Sequence, residues 1–267
     1  MDARADSSKR VVICVDGIVT AFFKRLTPDI SWEAYVGWLR ERRPDLEVVW
    51  LSQPHDWFDI FTRRAISYSD LVDKLIVEAL SHVDRRWDQV AILGFSLGGL
   101  TALRVALEVA RLEQQLTLDY VAYVTFGTPF SGTGRARDHF FRLVPLDYFN
   151  QSFDTETNRR MLKELCLFAH QGKLRLLFGE VERDEIVAGP VARLPLEWLE
   201  QWKPGGDIQY DKFTIRNRGA LIRYHDGLLY DSESVGYIDG LVDGLLPPEE
   251  LLGEYKPFVW KDWRRKR

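Results

Sequence analysis

Short apolar runs rich in β-branched residues recur along this chain, and between them lie stretches whose apolar residues fall at helical spacing. That alternation constrains the fold more than any single composition value. The runs are Val11-Val12-Ile13-Cys14-Val15, Val48-Val49-Trp50-Leu51, Val90-Ala91-Ile92-Leu93, Val121-Ala122-Tyr123-Val124 and Leu174-Arg175-Leu176-Leu177-Phe178, with Leu221-Ile222 a weaker sixth. Continuous apolar runs fit strands covered on both faces. Ser31 is expected to cap a helix through Trp32, Tyr35, Val36 and Leu39 that stops near Pro44. Ser69 is expected to cap another, carrying Leu71, Val72, Leu75, Ile76, Ala79, Leu80 and Val83. Further helices are expected from 97 to about 112, from about 155 to 169, and around Val235 and Ile238. Strands and helices in this order form βαβ units, hence an α/β fold with a mostly parallel central sheet flanked by helices. In such a sheet chemistry collects at the carboxyl ends of the strands.

With 267 residues, 46% of them hydrophobic, the chain can bury a sizeable core. No repeat, low-complexity segment or Pro/Gly/Ser-rich linker divides it, so 10–267 reads as one domain behind a polar tail at 1–9. The net charge of −4 argues against a dedicated nucleic-acid surface, which needs clustered Lys and Arg. The C-terminal Trp260-Lys261-Asp262-Trp263-Arg264-Arg265-Lys266-Arg267 mixes aromatics with bases and reads as a solvated end with its tryptophans packed back on the body, with contact to an anionic membrane surface as the alternative. No run approaches the ~18 apolar residues that span a bilayer, and the first ten residues lack the apolar stretch of a signal peptide. Stable membrane insertion is not expected. Cys14 and Cys166 are too few for a disulfide framework, so a cytoplasmic setting is expected. Zinc-ligand spacing and Gly-rich phosphate motifs are both missing from the sequence, so neither a metal nor a cofactor is expected.

Between the third strand and its helix stands Gly94-Phe95-Ser96-Leu97-Gly98-Gly99, which fits G-x-S-x-G in the strand-to-helix context that gives this motif meaning. A sharp turn there strains the serine and requires neighbours without a Cβ, hence Gly94 and Gly98. It lifts the hydroxyl clear of the backbone at a helix N-terminus, where unpaired N–H groups favour developing negative charge.

On these residues the chain resembles the α/β-hydrolase superfamily, and the resemblance covers most of its length. Phe126-Gly127-Thr128-Pro129-Phe130-Ser131-Gly132 is similar to the Gly-Thr-Pro stretch of lipase-like and esterase-like members, which often carry His where Phe130 stands. The resemblance implies a serine nucleophile at Ser96, activated by a histidine that an acid orients, in the chain order Ser, acid, His. Of five histidines, His55 and His82 precede Ser96, and His139 and His170 precede the fifth strand. Only His225 follows an acid at that strand's end. The loop there carries Glu180, Glu182, Asp184 and Glu185. Asp184-Glu185-Ile186-Val187 resembles the family's Asp-x-x-Val segment, so Asp184 is the expected acid, with Glu182 and then Glu180 as alternatives.

The oxyanion donors implied are the backbone N–H groups of Leu97 and Ile18. Gly17 allows close approach, and Asp16 stands where relatives commonly have His. About 45 residues at 128–172 exceed what a simple crossover needs and suggest a small helical lid. Phe130 and Phe149, among its many aromatics, are candidates with Gly17 to line a substrate pocket. The expected activity is hydrolysis of a carboxylic ester, a small-molecule or lipid-like one with a hydrophobic group, through an acyl-enzyme. A thioesterase, amidase or acyltransferase would use the same residues. A non-catalytic binding protein of the same fold is the alternative from another class.

Overall fold

The computed structural model describes residues 9–17, 32–53, 66–82, 87–112, 120–132, 134, 147–168, 173–184, 186–205, 208–215 and 232–246. Strands β1 (Lys9–Val15), β2 (Leu46–Leu51), β3 (Trp87–Phe95), β4 (Tyr120–Phe126), β5 (Lys173–Val181) and β6 (Ile208–Ile215) form one sheet in the order β2-β1-β3-β4-β5-β6. Every neighbouring pair is parallel. The described helices are α1 (Trp32–Arg42), α2 (Tyr68–Ser81), α3 (Gly98–Leu112), α4 (Asp147–Ser152), α5 (Thr155–Phe168), α6 (Gly189–Trp202) and α7 (Ser232–Leu245).

Successive strand side chains point to opposite faces, so the sheet sorts its residues into two cores. Val11, Ile13, Val90, Ile92, Tyr123 and Phe178 pack with α2 through α6. Val12, Cys14, Ala91, Leu93, Phe95 and Phe126 pack with α1 and α7. Cover on both faces is why the middles of these strands are continuous apolar runs. The edge strand β6 differs. Phe213 and Ile215 are buried while Gln209, Asp211, Lys212 and Thr214 are exposed. A search for continuous apolar runs passes over such a half-covered strand, the sixth among the described residues. Leu221-Ile222 falls outside the described residues.

Two helices also depart from expectation. The cap of α2 is Ser67, whose hydroxyl accepts the Asp70 N–H at 3.1 Å, and Ser69 lies inside the first turn. The helix α6 was hidden by Gly189-Pro190 and Pro195. Pro190 sits in the first turn, where its missing N–H costs nothing, and Trp198 and Leu199 lock the helix to the core. The described parts of 128–172 pack on the body, since Met161, Leu162, Leu165 and Cys166 of α5 belong to the same core as α3. Residues 135–146, the N-terminal tail short of Lys9 and the aromatic-basic C-terminal run lie outside the described residues. Among the described residues no helix is long and apolar enough to cross a membrane.

An ionic cluster closes the amino end of the sheet. The Arg42 guanidinium donates to Asp239 at 2.7 Å and to Asp243 at 2.8 and 3.0 Å. Arg43 donates to Asp45 at 2.7 and 2.8 Å, to Asp243 at 2.5 Å and to the Leu246 carbonyl at 2.8 Å. Arg10 approaches Asp45 to 3.6 Å. These pairs bind the end of α1 and the starts of β1 and β2 to α7. Burial raises the Asp239 carboxyl to about 7, against the pull of Arg42 and with the help of Asp243. Its Oδ2 and the Tyr35 hydroxyl are both buried without a hydrogen-bond partner.

The chain runs from β1 outward to β2 and then returns to the other side of β1 with β3. This reversal makes the carboxyl ends of β1 and β3 a topological switch point, the place where open α/β sheets bind ligands.

Candidate active site

Ser96 stands at the carboxyl end of β3, one residue past the strand and two before α3. Its φ of +52° is a left-handed conformation that a non-glycine residue holds at a cost of about 1–3 kcal/mol. The surrounding backbone enforces it. The Ser96 N–H donates to the Phe126 carbonyl at 2.9 Å, and the Ser96 carbonyl accepts the Gly99 N–H at 3.0 Å. The turn leaves no space at its glycines. A Cβ on Gly94 would lie 2.5 Å from the Gly99 Cα, and one on Gly98 would meet the Asp16 and Val15 carbonyl oxygens. Leu97 follows at the head of α3, where first-turn amides and the helix dipole favour negative charge.

The end of β1 presses on the same turn. A Cβ on Gly17 would lie 2.9 Å from the Ser96 Cβ. Asp16 is buried, and its Oδ1 accepts the Gly17 N–H at 2.9 Å. Burial, with Asp16 second, pushes the Cys14 thiol up to about 12, so that sulfur is an inert core group. Cys166 is likewise pushed up to about 12 by burial. Ile18 lies outside the described residues.

The carboxylates that leave β5 separate by environment. Glu180 is committed to structure, accepting from Thr214 Oγ1 at 3.0 Å and pairing with Arg193 at 3.0 Å. Glu182 is exposed. Asp184 is only 4% exposed, and its Oδ1 accepts the N–H groups of Ile186 at 2.7 Å and Val187 at 2.8 Å. A positive φ at Arg183 turns the chain inward just before it. Val187, 1% exposed, anchors the loop. Ser96 and Asp184 thus follow β3 and β5, two strands apart at one end of the sheet. His225 lies outside the described residues, in the segment after β6. The one histidine among the described residues, His82, sits at the other end of the sheet, 3.6 Å from Glu47.

Phe130 is fully buried, edge-on to Phe178 and Trp198, and Phe149 is buried in the same core and stacks on Phe153. Both rings belong to the core between the sheet and its helices. Thr128 has a place that sequence reasoning did not anticipate. It is fully buried against Gly99, so closely that a Cβ on that glycine would collide with it. It wedges the end of β4 under the Ser96 turn. The pairing of Gly98-Gly99 with Gly127-Thr128 was visible as two motifs, but their contact depends on β3 and β4 being neighbours. No group of three or more His, Cys, Asp or Glu among the described residues is disposed to hold a metal ion.

No family model matches the chain, and no curated protein matches it. Solved structures do. One from the work on LipS and LipT, two metagenome-derived lipolytic enzymes, superposes with a TM-score of 0.56 at 12% identity, over 90% of this chain and 94% of that one. An uncharacterized protein from Bacillus cereus ATCC 10987 superposes with a TM-score of 0.50 at 11% identity, over 92% of this chain and 62% of that one. At such identities the likeness is one of fold.

Proposed function

We infer that this chain, which has the α/β-hydrolase fold, is a serine hydrolase acting on carboxylic esters. The observation that carries this reading is the serine held at φ +52° where β3 turns into α3. Positive φ at a non-glycine residue costs stability, and it is retained here at the switch point where this sheet type binds ligands.

In the proposed reaction His225 takes the Ser96 Oγ proton as that oxygen attacks the ester carbonyl carbon. Asp184 holds the other ring nitrogen. Its Oδ1 is already fixed by two backbone amides, so the carboxylate is oriented before substrate arrives. Sheet neighbours lie about 4.8 Å apart, so β3 and β5 are separated by about 10 Å. An imidazole with a hydrogen bond at each nitrogen covers about 8 Å of that. The carbonyl oxygen gathers negative charge against the Leu97 N–H and the turn after β1. The alcohol leaves with the proton from His225. Water then attacks the acyl-serine, gives its proton to His225, and the acid departs as Ser96 recovers its hydrogen. The substrate is a small-molecule or lipid-like ester.

A fluorophosphonate probe tests the reading. The wild-type protein should be labelled covalently at Ser96, and Ser96→Ala and His225→Ala should not. An unlabelled wild type, or labelling that survives Ser96→Ala, ends the proposal. With p-nitrophenyl esters, kcat/KM should rise from acetate to octanoate. A flat or falling series removes the hydrophobic acyl group while leaving the nucleophile intact.

A further inference from the structure

Asp16 is the residue of the switch point whose chemistry is least expected. A buried carboxylate beside a centre that gathers negative charge opposes the reaction unless its own charge is committed to a donor. Here it is committed. The side chain is 5% exposed and its Oδ1 takes the Gly17 N–H at 2.9 Å, a charge-assisted bond to the very next peptide. The Asp16 N–H is held in turn by the Leu51 carbonyl at 3.0 Å. The turn is thereby tied to the end of β2 on one side. On the other it bears on the nucleophile, since a Cβ on Gly17 would lie 2.9 Å from the Ser96 Cβ and 3.0 Å from the Phe95 carbonyl oxygen. The carbonyls of Val15 and Asp16 lie against Gly98 at the head of α3. A small rotation of the Asp16-Gly17 peptide would therefore move the backbone that faces Ser96.

We propose that Asp16 is a positioning residue: its carboxylate serves as the acceptor that locks the Gly17 turn against Ser96. The inference rests on the reading of Ser96 as nucleophile. The acceptor oxygen is what matters, and the negative charge is tolerated because the bond absorbs it. Asn at this position keeps an oxygen in place without charge, whereas Glu keeps the charge and displaces the oxygen by one methylene.

These two variants form the test, read by kcat and KM on a p-nitrophenyl ester and by hydrogen exchange at the Gly17 amide. Asp16→Asn should retain kcat within about threefold and keep Gly17 protected. Asp16→Glu should lose kcat by about tenfold or more, with KM within about threefold and faster Gly17 exchange, because only transition-state contacts have moved. Any other pairing overturns the proposal, including Glu active with Asn inactive, both like wild type, or both equally impaired. Gly17 exchange in the wild type requires no variant to fold, and an unprotected amide there also overturns it. If the wild type fails to react with fluorophosphonate, the nucleophile reading has failed, and Gly17 exchange still judges whether Asp16 holds the turn.

Discussion

The two ends of the sheet are held by different physics. At the carboxyl end the contacts are backbone against backbone: Gly98 under the Val15 and Asp16 carbonyls, Gly94 on Gly99, Ser96 bonded to Phe126. At the amino end they are side chain against side chain, with Arg10, Arg42 and Arg43 set among Asp45, Asp239 and Asp243. The first arrangement holds one strained residue in place with little freedom to relax. The second fastens α7 to α1 and to the strand starts by charges that need one another, since a buried ion left alone is costly. Backbone rigidity around the proposed nucleophile and cohesion between distant segments are thus placed a strand length apart.

The largest expected effect sits at the carboxyl end. Ser96→Ala should lower ester turnover by about 10⁴-fold or more. Its thermal midpoint should stay close to wild type, because the hydroxyl is not a packing group. Ser96→Gly should be as inactive and gain up to about 1 kcal/mol, since glycine accepts positive φ freely. A marked loss of stability in both would mean that Ser96 serves the fold, and the contrast between the ends would collapse. At the amino end, Arg43→Met should cost about 1–3 kcal/mol in urea unfolding, since Asp45 and Asp243 each lose a donor while Arg10 and Arg42 still face them. Turnover by the folded fraction should be unchanged, and a changed KM would show that the two ends communicate.

Phe130→Ala should cost about 3 kcal/mol as a core truncation and leave the acyl-chain preference where it was. A shifted preference would instead mean that the ring lines the substrate pocket. The smallest effect concerns pH. Asp239 has a folded value of about 7 against an ordinary 3.8, so the native state keeps a proton that the unfolded chain releases. Its contribution is full below about pH 4 and is lost as pH rises through about 7. The wild-type thermal midpoint should therefore fall between pH 5 and 8 more steeply than that of Asp239→Asn. Equal slopes would refute the assignment.

Strands covered on both faces were legible because nothing in them alternates, and the Ser96 turn was legible because its glycines are consecutive with the strand and helix they join. The edge strand β6 was not, because solvent on one face lets Gln209, Asp211 and Lys212 interrupt the apolar pattern. The helix α6 was obscured by two prolines that position in the helix and core packing render tolerable. Asp184 was singled out in its charged loop by resemblance to an Asp-x-x-Val segment. Its distinction from Glu180 and Glu182 lies in burial and amide bonds that residue type does not specify.

The chain's own pattern determined the layer architecture and the strained serine between β3 and α3, since periodicity and glycine placement are local properties. Tertiary structure alone decided that the Gly17 turn bears on Ser96, that Thr128 props the turn, that Phe130 and Phe149 join the core, and that six charged residues from distant segments meet at the amino end of the sheet. Those outcomes depend on which strands become neighbours, and neighbourhood is a property of the whole fold that no single segment encodes.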